Sequence, residues 1–435
     1  MGLGISVVGQ ASKRGPLRRV PTADRLIEDI GTWLHENAAD TLRSTRLGQA
    51  APGTPALLVD LHPAADALRV VVAEDGLVTV TAPTSEVGPG YHTYLGRQLE
   101  RLGEDLGVAW GLTADGTEAS EDQAGEAIPC DRTDVEHRHL VWLRGTLLRV
   151  QEARERGLGA VQLCRVAGDR FDFEGPLATA LGPRDDAWLE AAITDPRIAV
   201  DVWPWWADAM DARYLLDRAL CVMWTDVRWR IPAAEGEAEL FDEVLRLLRK
   251  AYPLDPSLPY PWREWCELIQ LSGPAEQKSS LVTERAAATP AGPLVGYRRR
   301  PVTIVHDGWA LEIPGSFAER WADGEWWAGE AGRSITLAAV DTGVDGRPMA
   351  PEAFLRQVAG HLGPDALTHI DGPVVGRARL GVDPSSGVEV AFLDGYSAVL
   401  GSGAAIRVVI DDPTDWEWAL ETWRSLEPVS GLSLA

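Results

Sequence analysis

LRVVVAEDGLVTVT, from Leu68 to Thr81, is the stretch on which the fold of this chain turns. Leu68 to Ala73 and Leu77 to Thr81 are rich in β-branched residues, and Asp75-Gly76 between them supplies the positive φ of a tight hairpin. Outward from this hairpin, Gly4 to Val8 and Ala56 to Leu61 read as further strands. Thr22 is placed to cap a helix whose apolar residues Leu26, Ile30, Trp33 and Leu34 recur at helical spacing. Gly88-Pro89-Gly90 breaks the chain, and Tyr91 opens a helix to about Leu106 with Tyr94, Leu95, Leu99 and Leu102 on one face. Residues 1–128 are therefore expected to form an α+β domain, closed by a solvated loop from Gly111 to Asp131.

Residues 132–271 turn helical. Val135, His139, Trp142, Leu143, Leu147 and Val150 make one stripe, and Ala212, Leu215, Leu216, Ala219, Leu220, Met223 and Val227 another. A third helix begins near Glu237, acidic at its start and basic (Arg246, Arg249, Lys250) at its end, as the macrodipole favours. Pro253 stops it, and Pro261 starts the next, placing Trp262, Trp265 and Ile269 together. The predicted architecture is α+β multidomain, with an N-terminal α+β domain, this Trp-rich helical middle and a C-terminal antiparallel sheet with helices.

Residues 272–301 carry little periodicity and are assigned to a linker. From 302 to 428 strands return: Val302 to His306, Trp309 to Ile313, Arg333 to Val340, Gly387 to Leu393 with Tyr396 to Leu400 across an Asp394-Gly395 turn, and Ala405 to Ile410. Helices are expected near Pro351 to Leu362 and Pro413 to Leu426, the latter capped by Asp412. The order Trp309-Ala-Leu-Glu-Ile-Pro314, then Arg333-Ser-Ile-Thr-Leu337, a helix, several strands and a closing amphipathic helix resembles the small Mog1/PsbP-like α/β sandwich of many bacterial proteins. That resemblance implies an accessory, binding role for this part and carries over no catalytic residue.

The net charge of −24, from 41 basic and 65 acidic side chains, repels a phosphate backbone and disfavours nucleic acid as a partner. An anionic membrane surface is disfavoured equally, and no apolar run reaches the ~18 residues that span a bilayer. The apolar start, Met1 to Gly9, has its positive charges after it rather than before, so the chain is expected to be cytoplasmic. Cys130, Cys164, Cys221 and Cys266 show no paired spacing and read as free thiols. Three lysines against 38 arginines, with abundant Ala and Gly, suggest a high-GC bacterial genome.

Tryptophan carries the candidate site. Of 18, Trp188, Trp203, Trp205, Trp206, Trp224, Trp229, Trp262 and Trp265 fall within one stretch of the chain. Trp203, Trp205, Trp206, Asp208, Trp224, Asp226, Trp229 and Glu264 are the candidate surface, where indoles beside Arg and carboxylates would grip a partner or a planar ligand. The other reading is a Trp-filled core, and the sequence leaves both open. Asp226 and Glu264 would serve as acid and base in glycoside cleavage only at a suitable separation.

Gly88, Gly90, Tyr91 and His92 form a second candidate, an anion loop at a helix N-terminus, although it lacks the Lys of a P-loop and the third Gly of a dinucleotide fingerprint. His137 and His139, with Cys130 and Glu136 near, do not make a metal site, because residues two apart on a helix point about 200° apart. Trp326-Trp327 in a strand would face opposite ways, and Arg298, Arg299 and Arg300 are expected to neutralise nearby carboxylates. No catalytic residue, metal or cofactor is implied. The expected function is a non-catalytic adaptor, accessory or immunity-type protein binding a protein partner; the alternative is a carbohydrate-active or phosphate-ligand enzyme using the Trp/acid cluster or the Gly88 loop.

Overall fold

Strands Leu68–Val72 and Leu77–Pro83 pair antiparallel, as the hairpin motif dictates. Gly76 sits at φ 85°, and the Leu77 amide donates to Asp75 Oδ1 at 3.0 Å. The structure, a computed structural model, describes residues 2–13, 20–51, 54–111, 131–157, 159–166, 168, 170–273, 280–322, 325–342, 347–383 and 390–429. Most of the loop expected from Gly111 to Asp131, with Cys130, lies outside them. The chain is a multidomain α+β protein. It divides into two compact units: Met1–Arg165 with Phe173–Trp224 and Glu243–Pro261, and Val166–Asp172 with Thr225–Asp242 and Trp262–Ala435. Among the described residues no helix is long and apolar enough to cross a membrane.

In the first unit, β1 (Gly4–Ala11), β2 (Ser44–Ala51), β3 (Thr54–Asp60), β4 (Leu68–Val72), β5 (Leu77–Pro83) and β6 (Val108–Trp110) form one antiparallel sheet, order β2-β3-β4-β5-β1-β6. Alternation along the strands turns Ile5, Val7, Leu57, Val59, Val70, Val78 and Val80 inward. Onto them pack α1 (Ala23–Asn37) through Leu26, Ile30 and Trp33, and α2 (Pro89–Leu106) through Tyr91, Leu95 and Leu99. Thr22 caps α1, accepting from the Arg25 amide. The exposed strand β2 was not foreseen, because its residues include only Leu47 as a large apolar side chain.

Beyond this layer, α3 (Arg132–Glu155), α4 (Asp186–Thr194) and the 3-10 turn Pro196–Val202 enclose a second core around Leu143, Leu147, Leu189 and Trp203. Strands β7 (Val161–Gln162), β9 (Leu177–Thr179) and β10 (Gly182–Arg184) make a small sheet, while β8 (Arg170–Phe171) belongs to the other unit. Helix α5 (Ala212–Thr225) and the part of α6 (Glu237–Leu254) from Glu243 onward supply a buried ion pair, Arg218 to Glu243 at 2.8 Å.

In the second unit, α7 (Trp262–Leu271) starts after Pro261 as expected, with Trp262 and Trp265 stacked at 5.3 Å. The stretch expected as a linker holds α8 (Ser280–Ala288), whose alanines favour helix without any strong periodicity and whose Val282 is buried. Strands β11 (Val302–His306) and β12 (Trp309–Ile313) form a hairpin extended by β8 and by β20 (Glu427–Pro428). A seven-stranded antiparallel sheet follows, in the order β13 (Ala318–Ala322), β14 (Glu325–Glu330), β15 (Arg333–Asp341), β19 (Ser402–Ile410), β18 (Val390–Val399), β17 (Val374–Asp383), β16 (Leu367–Asp371). Helices α9 (Pro351–Val358) and α10 (Trp416–Arg424) pack on it.

One expectation is overturned here: Asp394-Gly395 is no turn. Both residues lie inside the continuous strand β18, Asp394 opposite Arg407 and Gly395 opposite Ile406. Gly395 is needed there because the buried Trp423 indole of α10 covers it; a Cβ would stand 2.7 Å from Trp423 Cδ1. The chain reverses instead between Val399 and Ser402, with Gly401 at φ 82°.

Candidate functional site

Two of the sequence candidates meet each other in the first unit. The segment Trp203–Trp206 lies across the start of α2, where the Trp205 amide donates to the Val87 carbonyl and the Gly90 amide to the Trp205 carbonyl, each at 3.0 Å. Trp203 Nε1 donates to the Ser85 carbonyl at 2.7 Å, and Thr84 Oγ1 bonds His92 Nδ1 at 2.9 Å. Gly88, Gly90, Tyr91 and His92 are all buried beneath this segment. The glycines are there for close approach: a Cβ on Gly88 would stand 2.7 Å from the Trp205 carbonyl oxygen, and one on Gly90 2.3 Å from that of Ala207. The loop therefore seats the protein's own chain.

Trp203 and Trp205 are correspondingly core residues, 2% and 1% exposed. Trp206 is half-buried, stacked on Trp203 at 5.4 Å with the Arg132 guanidinium 5.8 Å above its ring. The exposed Asp208 accepts from Arg97 at 2.6 Å and pairs with Arg132 at 3.3 Å. Trp224 packs against the Gly182 turn. On α3, His139 is buried edge-on to Trp203 while His137 is exposed, so the two imidazoles diverge as helical geometry requires. Burial pushes the His139 imidazole down to about 4, against a hydrogen bond to Val135. Cys164 and Cys221 are buried and Cys266 is half-buried.

The remaining candidates belong to the second unit, and one of them, Trp229, lines a cleft of about 670 Å³. Its walls come from the chain after α5 (Arg228, Trp229), the turn before β11 (Arg298 to Arg300), the end of β12 (Glu312), the start of β15 (Arg333) and α10 (Trp418, Glu421). Trp229 has φ 53°, a left-handed backbone rare for a bulky residue and a place where strain is stored. Its ring lies over Gly296, where a Cβ would stand 2.0 Å from Nε1. The Arg299 guanidinium stacks on the same indole, 3.7 Å from the ring centroid. Arg333 repeats the motif at 5.1 Å over Trp418.

Carboxylates hold these guanidinium groups from behind. Arg299 bonds Glu267 with both terminal nitrogens. Arg333 pairs with Glu330 at 2.9 Å, and Glu330 also accepts from Ser316 Oγ. Arg298, fully buried, donates to Glu319 and to the Gly315 carbonyl. Burial and the neighbouring Arg228 bring its guanidinium down to about 10, with Glu319 opposing. Arg230 forks onto Glu237 at 2.8 and 2.9 Å. Burial alone would raise the Glu237 carboxyl, but the Ala233 and Ala234 amides and Arg230 hold it below its ordinary value. The neutralising role expected of Arg298 and Arg299 is what the ion pairs display.

Asp226 is half-buried and Glu264 is 7% exposed. Trp265 is buried as the helical stripe required. Sequence reading missed Arg333, Glu312, Trp418 and Glu421 as cleft residues, and their spacing carried no signal, since three separate elements bring them together. Among the described residues no group of three or more His, Cys, Asp or Glu is arranged to hold a metal ion.

No protein-family model matches the chain, and no curated protein matches it. A solved structure from Bacteroides thetaiotaomicron VPI-5482 is similar over 28% of this chain and 45% of its own, with 11% sequence identity and a TM-score of 0.24.

Proposed function

We propose that this chain is a non-catalytic interaction protein that engages a protein partner through the arginine–tryptophan cleft of its second unit. The observation that supports this most is the Arg299–Trp229 stack, 3.7 Å apart inside a cleft of about 670 Å³. Trp and Arg are among the residue types that dominate interface energetics, because each combines a flat face for stacking with hydrogen-bond donors. Here their rotamers are already locked by Glu267 and Gly296, so binding would order little. The cleft volume lies in the range of specific sites, roughly 300–1,000 Å³. With Arg298, Arg299 and Arg333 each backed by a carboxylate, stacking and hydrogen bonding rather than net attraction would select the occupant.

Leu294, 56% exposed on the cleft wall, gives the test. Leu294→Trp narrows the cleft without touching a buried group. Affinity capture from the native cell with quantitative mass spectrometry should return one partner enriched on the natural protein and lost on the variant, at equal thermal stability. Equal recovery on both would exclude the cleft as the contact surface.

A further inference from the structure

In the first unit, His62, Tyr91 and Trp205 arrive from three separate stretches: the turn after β3, the first turn of α2 and the segment that lies over it. All are sealed, at 1%, 0% and 1% exposed. Their rings form a near-equilateral triangle, with centroids 6.1 Å (His62–Tyr91), 6.0 Å (His62–Trp205) and 5.7 Å (Tyr91–Trp205) apart. Each ring carries one buried polar atom that no described protein group satisfies: His62 Nε2, Tyr91 Oη and Trp205 Nε1. Buried polar atoms are nearly always hydrogen-bonded, so three exceptions on adjoining rings call for a partner that the described side chains do not supply.

The chemistry of that partner follows from the donors. His62 Nδ1 accepts from the Ala64 amide at 3.2 Å, which places the proton of the neutral ring on Nε2 and makes Nε2 a donor. The indole N–H of Trp205 only donates, whereas the Tyr91 hydroxyl does either. We propose that His62, Tyr91 and Trp205 enclose one buried water molecule, which accepts from His62 Nε2 and Trp205 Nε1 and donates to Tyr91 Oη. Two lone pairs meet two obligatory donors, and three bonds is the usual complement of an internal water.

A metal cation does not suit a protonated imidazole nitrogen and an indole. A halide would suit three donors, but the nearest guanidinium has none to add. Arg218 uses its groups on Glu243, Tyr214 Oη and the carbonyls of Asp40 and Thr41. An ion without a charged partner is costly to bury. The water ties the turn after β3, the α2 N-terminus and the Trp205 segment into one polar joint inside an aromatic shell that also includes Tyr94 and Tyr214.

The test uses the full chain. A high-resolution crystal structure should show one water within hydrogen-bond distance of all three atoms. Tyr91→Phe removes that water's acceptor and should lower the melting temperature by about 2–4 °C, the span of a single lost bond in a unit of this size. If the site is dry, the same change deletes a bare hydroxyl, and an unchanged or raised melting temperature overturns the proposal. An anomalous peak there from crystals grown in bromide, or three separate waters, overturns it as well.

Discussion

The amide of Gly90 donates to the Trp205 carbonyl at 3.0 Å, with so little room between them that a Cβ on Gly90 would stand 2.5 Å from Trp205 Cδ1. The start of α2 and the Trp203–Trp206 segment thus satisfy each other's backbone groups, and the aromatic shell around Trp205 belongs to the core of the first unit.

Gly90→Ala should accordingly destabilise. The atoms in the way include the backbone oxygens of Ala207 and Trp205, which have nowhere to retreat. Overpacking of this kind costs about 1–3 kcal/mol. Urea unfolding followed by tryptophan fluorescence checks it; a midpoint equal to that of the natural protein would refute the close approach.

Gly395→Ala discriminates a strand from a turn. Inside β18 the new methyl meets Trp423, 2.7 Å from Cδ1, and should cost about 1–3 kcal/mol. The control is Gly372→Ala, at φ 53° with open space around it, where only the left-handed backbone opposes the change at about 1 kcal/mol. Thermal denaturation of the pair should rank Gly395→Ala lower.

Asp217 gives a pH dependence. Its side chain is 6% exposed, Oδ2 takes Arg213 Nε at 2.7 Å, and Oδ1 has no protein hydrogen-bond partner among the described residues. Burial pushes the carboxyl up to about 6, with Arg213 opposing. A folded value above the unfolded one means that the native state binds the proton more tightly. The cost of keeping the group charged is therefore felt in full above pH 6 and relieved as pH falls toward 4. Asp217→Asn should be more stable than the natural protein at pH 8, by about 3 kcal/mol at 1.36 kcal/mol per unit, and no better at pH 4. Chemical denaturation at the two pH values measures the difference, and a gain that is the same at both would remove Asp217 as its source.

Arg218→Met should destabilise by about 3–5 kcal/mol, the range for breaking a buried ion pair from one side. The guanidinium is 2% exposed, and its loss leaves Glu243 with Arg43 alone and strands the carbonyls of Asp40 and Thr41. Burial would raise the Glu243 carboxyl, but Arg43 and Arg218 hold it below its ordinary value. Replacing both partners, Arg218→Met with Glu243→Leu, should recover part of the loss in a double-mutant cycle.

Local signals were legible where one element decided its own form. The Asp75-Gly76 hairpin, the Thr22 cap, the Pro261 helix start and the stripes of α1, α3 and α5 rest on spacing and turn chemistry, and the structure has them where the residues put them. Asp394-Gly395 carries the same dipeptide yet runs through a strand, because the glycine answers to Trp423 from another element rather than to its neighbours.

Which indoles are reachable was equally outside the sequence. Trp203 and Trp229 sit in similar company of Trp, Arg and Asp, yet the first donates to Ser85 in a core and the second lines a cleft beneath Arg299. By itself the chain of residues determined its α+β class, most of its helices and hairpins, and an acidic surface, since these depend on periodicity, capping and summed charge. Tertiary structure alone decided which side chains share a surface, because close packing joins residues by shape across distant elements and leaves no periodic trace in the order of the chain.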